Sequence, residues 1–150
     1  MITSTSNTQI KELAKLQKKS RLRDEKGIFL VEGPRMTEEI PAERIEKIYA
    51  SESFAKKNKE FLEKLQAPVE LLTDTVFAYV SDTKTPQGIL AIVKRLDYTM
   101  KDLMQVKNQK APHLIVLDNL QDPGNLGTIF RTAEAAGVTG ILLSKDCVDV

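Results

Sequence analysis

The stretch LIVLDNLQDPGNLGTIFRTAEAAGVTGILLS, residues 114 to 144, constrains the fold more than any other part of the chain. Its continuous apolar run, preceded by His113, predicts a strand covered on both faces, and GILL predicts a parallel neighbour reached through a right-handed helical crossover. The crossover helix is expected from about Leu126 to Ala136, with Gly137 as its stop. DNLQDPGNLG then falls at the carboxyl end of the first strand, where open parallel sheets place their ligands. One strand-helix-strand element is too small to bury a core alone. From about Pro112 the chain therefore reads as the first part of a larger parallel-sheet α/β domain, cut short or completed by a partner.

The preceding residues read as a separate unit. Ser6 or Asn7 can cap a basic helix through roughly Gln17 to Ser20, with Ile10, Leu13, Ala14 and Leu16 as its apolar stripe. GIFLVEG, IEKIYAS, APVELLT and QGILAIVKR read as strands. RMTEEI suits one or two helical turns, DTVFAYVSD is helix or strand with apolar residues that suit a short helix better, and SFAKKNKEFLEKLQ reads as one amphipathic helix. Strand and helix alternate about three times, which predicts an α/β sandwich over residues 1–95. Residues 96–111 are polar and weakly periodic, a linker with some helix, and residues 112–150 form the second unit.

Several chemistries are excluded or demoted at once. Cys147 and His113 are the lone cysteine and histidine, so neither an internal disulfide nor a His/Cys metal cluster can form; a Cys-His catalytic pair stays conceivable. No apolar run is long enough for a membrane span and no secretory leader opens the chain, so a cytoplasmic protein without membrane contact is expected. The glycines at 124 and 127 fit neither the dinucleotide fingerprint nor the phosphate loop.

Charge points toward nucleic acid. Lys11, Lys15, Lys18, Lys19, Arg21, Arg23 and Lys26 face only Glu12, Asp24 and Glu25 within residues 1–26, a segment of net +4 on a chain of net +1. Such a segment gains affinity for phosphates by counterion release, although a solvated helix face has the same composition. Lys15, Lys18 and Lys19 are candidate RNA contacts on this ground, with Lys84 in TKTPQG and Arg35 after Gly33-Pro34 as further phosphate contacts. No aromatic platform for base stacking is recognisable among Tyr49, Tyr79 and Tyr98.

At the 118–131 turn, Asn125 can cap the helix, and the glycines permit tight turning and close backbone approach. On a helical wheel Ile129, Phe130, Ala133 and Ala136 form the buried arc and Arg131 projects away from it, able to reach back toward the helix start. There a guanidinium can grip a phosphate in bidentate fashion; a contact with Glu134 is the bland alternative.

DNLQDPGNLGTIFRTAEAAG resembles the first motif, Asn-x-Gly-x-x-x-Arg, of the SpoU/TrmH branch of the SPOUT RNA methyltransferases, carried here by Asn125, Gly127 and Arg131. FLVEGPRMTEEI and SDTKTPQGILAIV resemble the substrate-binding domain often fused in front of it, a small ribosomal-protein-like α/β unit. The resemblance implies a trefoil-knotted catalytic domain, a homodimer, and transfer of a methyl group from S-adenosylmethionine to a ribose 2′-hydroxyl of ribosomal or transfer RNA. It gives Arg131 a catalytic role. Because a guanidinium is a poor base, binding the adjacent phosphate and orienting the hydroxyl is the expected task. It places Asn125 at the loop, shaping it or touching RNA or the partner subunit. The later motifs that line the cofactor pocket are expected beyond Val150, so no cofactor-binding residue is assigned within the chain. Two other readings stand beside this one: a noncatalytic RNA-binding module lacking the cofactor site, and a different nucleotide-binding α/β enzyme.

Overall fold

The computed structural model describes residues 1–105 and 111–148. They divide into two compact units, Met1–Leu96 and Asp97–Val150. Residues 106–110, part of the expected linker, lie outside the described residues.

The first unit is a four-stranded sheet between two layers of helices. Its strands β1 (Ile28–Glu32), β2 (Ile45–Ser51), β3 (Val69–Leu72) and β4 (Ile89–Lys94) lie in the order β1-β4-β2-β3. β4 runs antiparallel to both neighbours and β2 parallel to β3. Period-two alternation sends Ile28, Tyr49, Leu72, Leu90 and Ile92 to one face, where they meet Ile10, Leu13 and Leu16 of α1 (Thr8–Lys18) and Val76, Phe77 and Val80 of α6 (Asp74–Val80). Val31, Ile45, Ile48, Ile89, Ala91 and Val93 line the other face, against Phe54, Phe61 and Leu62. The expected α/β class is the observed one. Ile2 bridges Leu72 and ties the amino-terminal residues to the β3 edge.

Local chemistry sets the element ends. Asn7 caps α1 by accepting from the Gln9 amide at 2.9 Å. Arg23, on α2 (Ser20–Lys26), donates to the carbonyls of Leu16 at 2.7 Å and Gln17 at 3.0 Å, satisfying the end of α1. Gly27 then turns the chain into β1 at φ 62°. The single helix expected over SFAKKNKEFLEKLQ is instead two, α4 (Glu52–Lys57) and α5 (Lys59–Lys64). Asn58 divides them at φ −129°, its side chain and its own amide both donating to the Phe54 carbonyl, at 2.9 and 3.0 Å, to close the end of α4.

The second unit holds α7 (Met100–Leu103), β5 (Leu114–Leu117), α8 (Pro123–Ala135) and β6 (Gly140–Leu143), with β5 and β6 parallel as expected. Two expectations change here. β5 is not covered on both faces by the described residues, since Val116 is 69% exposed. The buried arc of α8 is Leu126 and Ala133, with Ile129 half-buried; Phe130 is 37% exposed and Ala136 is exposed. Leu126, Ile129 and Ala133 follow the i, i+3, i+7 spacing of one helical stripe, which includes Leu126 because the helix begins three residues earlier than expected.

Candidate functional site

The carboxyl ends of β5 and β6 are knitted into one surface. The Ser144 amide donates to the Leu117 carbonyl at 2.9 Å, while its hydroxyl accepts from the Asn119 amide at 3.0 Å. The Val148 amide donates to Leu120 at 2.7 Å, and the Gln121 side chain donates to Asn119 Oδ1 at 2.9 Å and to the Asp146 carbonyl. Asn119 turns the chain at φ 52°, a conformation Asn tolerates better than most residues. Cys147 Sγ lies 3.4 Å from the Leu120 amide nitrogen, and the Ser144 hydroxyl beside it, with that amide, holds the thiol pKa below its ordinary value. The conceivable Cys-His pair does not form: His113 precedes β5 and Cys147 follows β6, at opposite ends of a parallel pair roughly 13 Å long.

Asp122 caps α8, not Asn125. Its Oδ1 accepts from the Asn125 amide at 2.6 Å, and Pro123 occupies the first helical position, where its missing N–H is no loss. Asn125 therefore stands in the first helical turn with its side chain exposed at the strand ends. Gly124 and Gly127 are helical and do not make a tight turn. What Gly127 leaves is open space under the guanidinium, which a Cβ would enter at ordinary contact distance, 3.4 Å from Arg131 Nη1.

Arg131 reaches back along the helix as its direction on the wheel suggests. Its Nη2 donates to Thr128 Oγ1 at 3.1 Å, and Thr128 in turn donates to the Gly124 carbonyl at 3.0 Å. The guanidinium thus lies over Gly127, four residues toward the helix start, on the side where the amide dipoles favour negative charge. Among the described residues Arg131 makes no ion pair, with Glu134 or otherwise, so its remaining donors are open to a ligand. Thr128 was not singled out in the sequence; its i−3 spacing from Arg131 was the available signal.

The candidate RNA contacts of the first unit remain on its surface. Lys15 and Lys18 are exposed on α1, Lys19 follows at the helix break, Arg35 lies in the first turn of α3 (Pro34–Glu38) and Lys84 stands in the loop before β4, all exposed. None makes an ion pair among the described residues, whereas Arg21 pairs with Glu25, Arg95 with Asp24 and Lys47 with Glu70. Arg23 is engaged by the end of α1 and is not an equivalent free cation.

The pattern of the SpoU rRNA methylase family matches residues 112–150, and that of the MRM3-like substrate binding domain matches residues 7–91. The chain belongs to the SpoU rRNA methylase family. Among its relatives, an uncharacterized tRNA/rRNA methyltransferase of Synechocystis is 36% identical over 155 residues, covering 99% of this chain and 54% of the relative. The 23S rRNA (guanosine(2553)-2′-O)-methyltransferase RlmP of Bacillus subtilis is 31% identical over 151 residues, covering 99% of this chain and 56% of that enzyme. The AdoMet-bound rRNA methyltransferase of Sinorhizobium meliloti superposes with a TM-score of 0.74 at 26% identity, covering 99% of this chain and 55% of that one. This SpoU chain thus spans about half the length of the relatives it matches. No helix among its described residues is long and apolar enough to cross a membrane.

Proposed function

We propose that this chain serves an RNA methyltransferase that moves a methyl group from S-adenosylmethionine to a ribose 2′-hydroxyl of ribosomal RNA. The observation that carries the reading is the seat of Arg131 over Gly127 at the carboxyl ends of a parallel pair, inside a chain of the SpoU family. The naming of the Bacillus relative as a 2′-O-methyltransferase of 23S rRNA favours the ribose and ribosomal RNA over transfer RNA.

A cavity of about 350 Å³ in the second unit is lined by Ile115, Ile129, Ala133, Ala136 and Val138, with His113, Thr128 and Thr132. That lining lacks the hydrogen-bonding set that reads an adenosine and a charged amino-acid end, so none of these residues is assigned to the cofactor. When bound, S-adenosylmethionine supplies an electrophilic methyl group.

The chain's own residues act on the RNA. Arg131, held by Thr128, grips the phosphate beside the target ribose and fixes the 2′-oxygen on line, and alignment of this kind carries much of the rate. Asn125, on the exposed first turn of α8, shapes the rim of the same site and touches RNA or a second subunit. Lys15, Lys18, Lys19, Lys84 and Arg35 bind the RNA backbone from the first unit. We also propose a cytoplasmic homodimer: exposed Val116 and Phe130 are apolar surface that further protein would cover, and a free Cys147 suits a reducing compartment.

The test incubates the protein with unmodified ribosomal RNA and methyl-labelled S-adenosylmethionine. Label in a 2′-O-methylribose, reduced at least a hundredfold by Arg131→Ala, is the expected result. Ribosomal RNA binding with no transfer by the wild type would replace this reading with the noncatalytic RNA-binding module.

A further inference from the structure

Glu32 closes β1, half-buried, and its carboxylate gathers a loop that lies about fifty residues away in sequence. Oε1 and Oε2 accept from the Ser81 hydroxyl at 2.8 and 2.9 Å. Oε1 also accepts from the Thr83 hydroxyl at 3.0 Å and from the Gln87 amide at 3.3 Å. The Gln87 side chain lies against Gly33, where an added Cβ would stand 2.8 Å from its Oε1. At the far end of the loop the Gly88 carbonyl accepts from the Ser51 amide at 2.8 Å.

Residues 82–87 are all exposed and belong to no helix or strand. An exposed loop with no regular structure ordinarily stays mobile, because little opposes its conformational entropy. Here both feet of a short arch, Thr83 and Gln87, rest on one carboxylate, and the residues between them, Lys84, Thr85 and Pro86, face solvent. Lys84 and Thr85 have no polar partner among the described residues. Arg35, also without one, follows Gly33-Pro34 directly after Glu32. The result is a fixed display of an ammonium, a hydroxyl and a guanidinium, donor chemistry suited to phosphate and ribose oxygens.

We propose that the 83–87 arch and Arg35 form an RNA-backbone docking surface, with Thr85 as an added contact and Glu32 as the positioning residue that sets its geometry. This rests on the reading of the protein as RNA-binding and goes beyond it by assigning a role to an acidic residue. Charge alone gives the opposite expectation: an anion next to a phosphate-binding surface weakens RNA affinity, so deleting it should tighten binding. Preorganisation predicts the reverse, because a freed arch must be ordered on every encounter.

The experiment is filter binding of the purified protein to an unmodified large-subunit ribosomal RNA transcript across a salt series, with thermal unfolding measured on every variant. Lys84→Ala and Arg35→Ala should each weaken binding about fivefold and lower the slope of log K against log salt by about 0.7 to 0.9. Glu32→Ala should weaken binding about tenfold. Combined with Lys84→Ala it should fall well short of the product of the two effects, since both act through one arch. Glu32→Gln, which keeps an acceptor oxygen while removing the charge, should stay within about threefold of wild type. Thr83→Val, which removes one foot and leaves the sheet intact, guards against a Glu32→Ala protein that unfolds, and should lose about threefold. Glu32→Ala and Thr83→Val proteins that bind as tightly as wild type, or more tightly, would overturn the positioning role while leaving RNA binding standing. A wild-type protein that does not bind the transcript would remove the reading on which the proposal rests.

Discussion

Gly127→Ala sets stability against activity at the candidate catalytic residue. Gly127 is well inside α8, so giving it a side chain removes the entropic penalty of a helical glycine, a gain of about 1 kcal/mol. With a urea dependence of about 1 kcal/mol/M for a unit of this size, the midpoint of its transition should rise by about 1 M. The new methyl group, however, stands 3.4 Å from Arg131 Nη1, at the near edge of van der Waals contact. The guanidinium keeps its hydrogen bond to Thr128 but loses the open space over residue 127 that a phosphate drawn to the helix start would share with it. Since a phosphate held slightly off line is costly in rate, methyl transfer should fall roughly tenfold. Urea denaturation followed by circular dichroism, beside single-turnover transfer from labelled S-adenosylmethionine, reads both quantities. A stabilised variant with undiminished transfer would refute the proposed seat of Arg131, and a destabilised one would refute the helical placement of Gly127.

Other expectations follow from the same reasoning. Gly88→Ala should destabilise the first unit by about 3 kcal/mol, since φ is +82° and the new Cβ would meet Phe54 Cβ at 2.7 Å; Gly27→Ala, at φ +62° in open space, should lose only about 1 kcal/mol. Equal losses in thermal unfolding would show that the contact with Phe54 does not matter. Asp122→Ala removes the cap of α8 and should destabilise the second unit by about 1 kcal/mol, with faster hydrogen exchange at the Asn125 amide; unchanged exchange there would contradict the cap. The Asp74 carboxyl is held below its ordinary value by hydrogen bonds from Ser53. Its contribution is therefore present above the unfolded value of roughly 4 and is lost as pH falls through the lower folded value. Ser53→Ala should flatten the acid limb of a stability-against-pH curve, and an unaltered limb would count against this coupling.

Much of the fold was legible because its signals are local. Gly33-Pro34 and Pro86 with Gly88 bracket apolar runs that are β1 and β4, and the helix of residues 74–80 showed its apolar stripe. The split at Asn58 was not legible, since it rests on one residue whose side chain joins its own amide at the Phe54 carbonyl, a detail an apolar pattern of helical spacing does not carry. The cap of α8 departs from expectation for a different reason. Asp122 followed by Pro123 carries the helix-start signal, whereas the apolar periodicity starts only at Leu126, and a start there displaces the buried arc as well. The relation of Gly127 to Arg131 was written in their four-residue spacing. That of Glu32 to Ser81, Thr83 and Gln87 was not, because partners 49 to 55 residues apart meet only once the sheet has formed.

The central claim concerns a methyl group on ribosomal RNA, and the most direct measurement is a map of 2′-O-methylated nucleotides in the host's ribosomal RNA with and without the gene. Deletion should erase one site, which the wild-type gene restores and the Arg131→Ala allele does not. A map unchanged by deletion would contradict the assignment of this chain to 2′-O-methylation of ribosomal RNA.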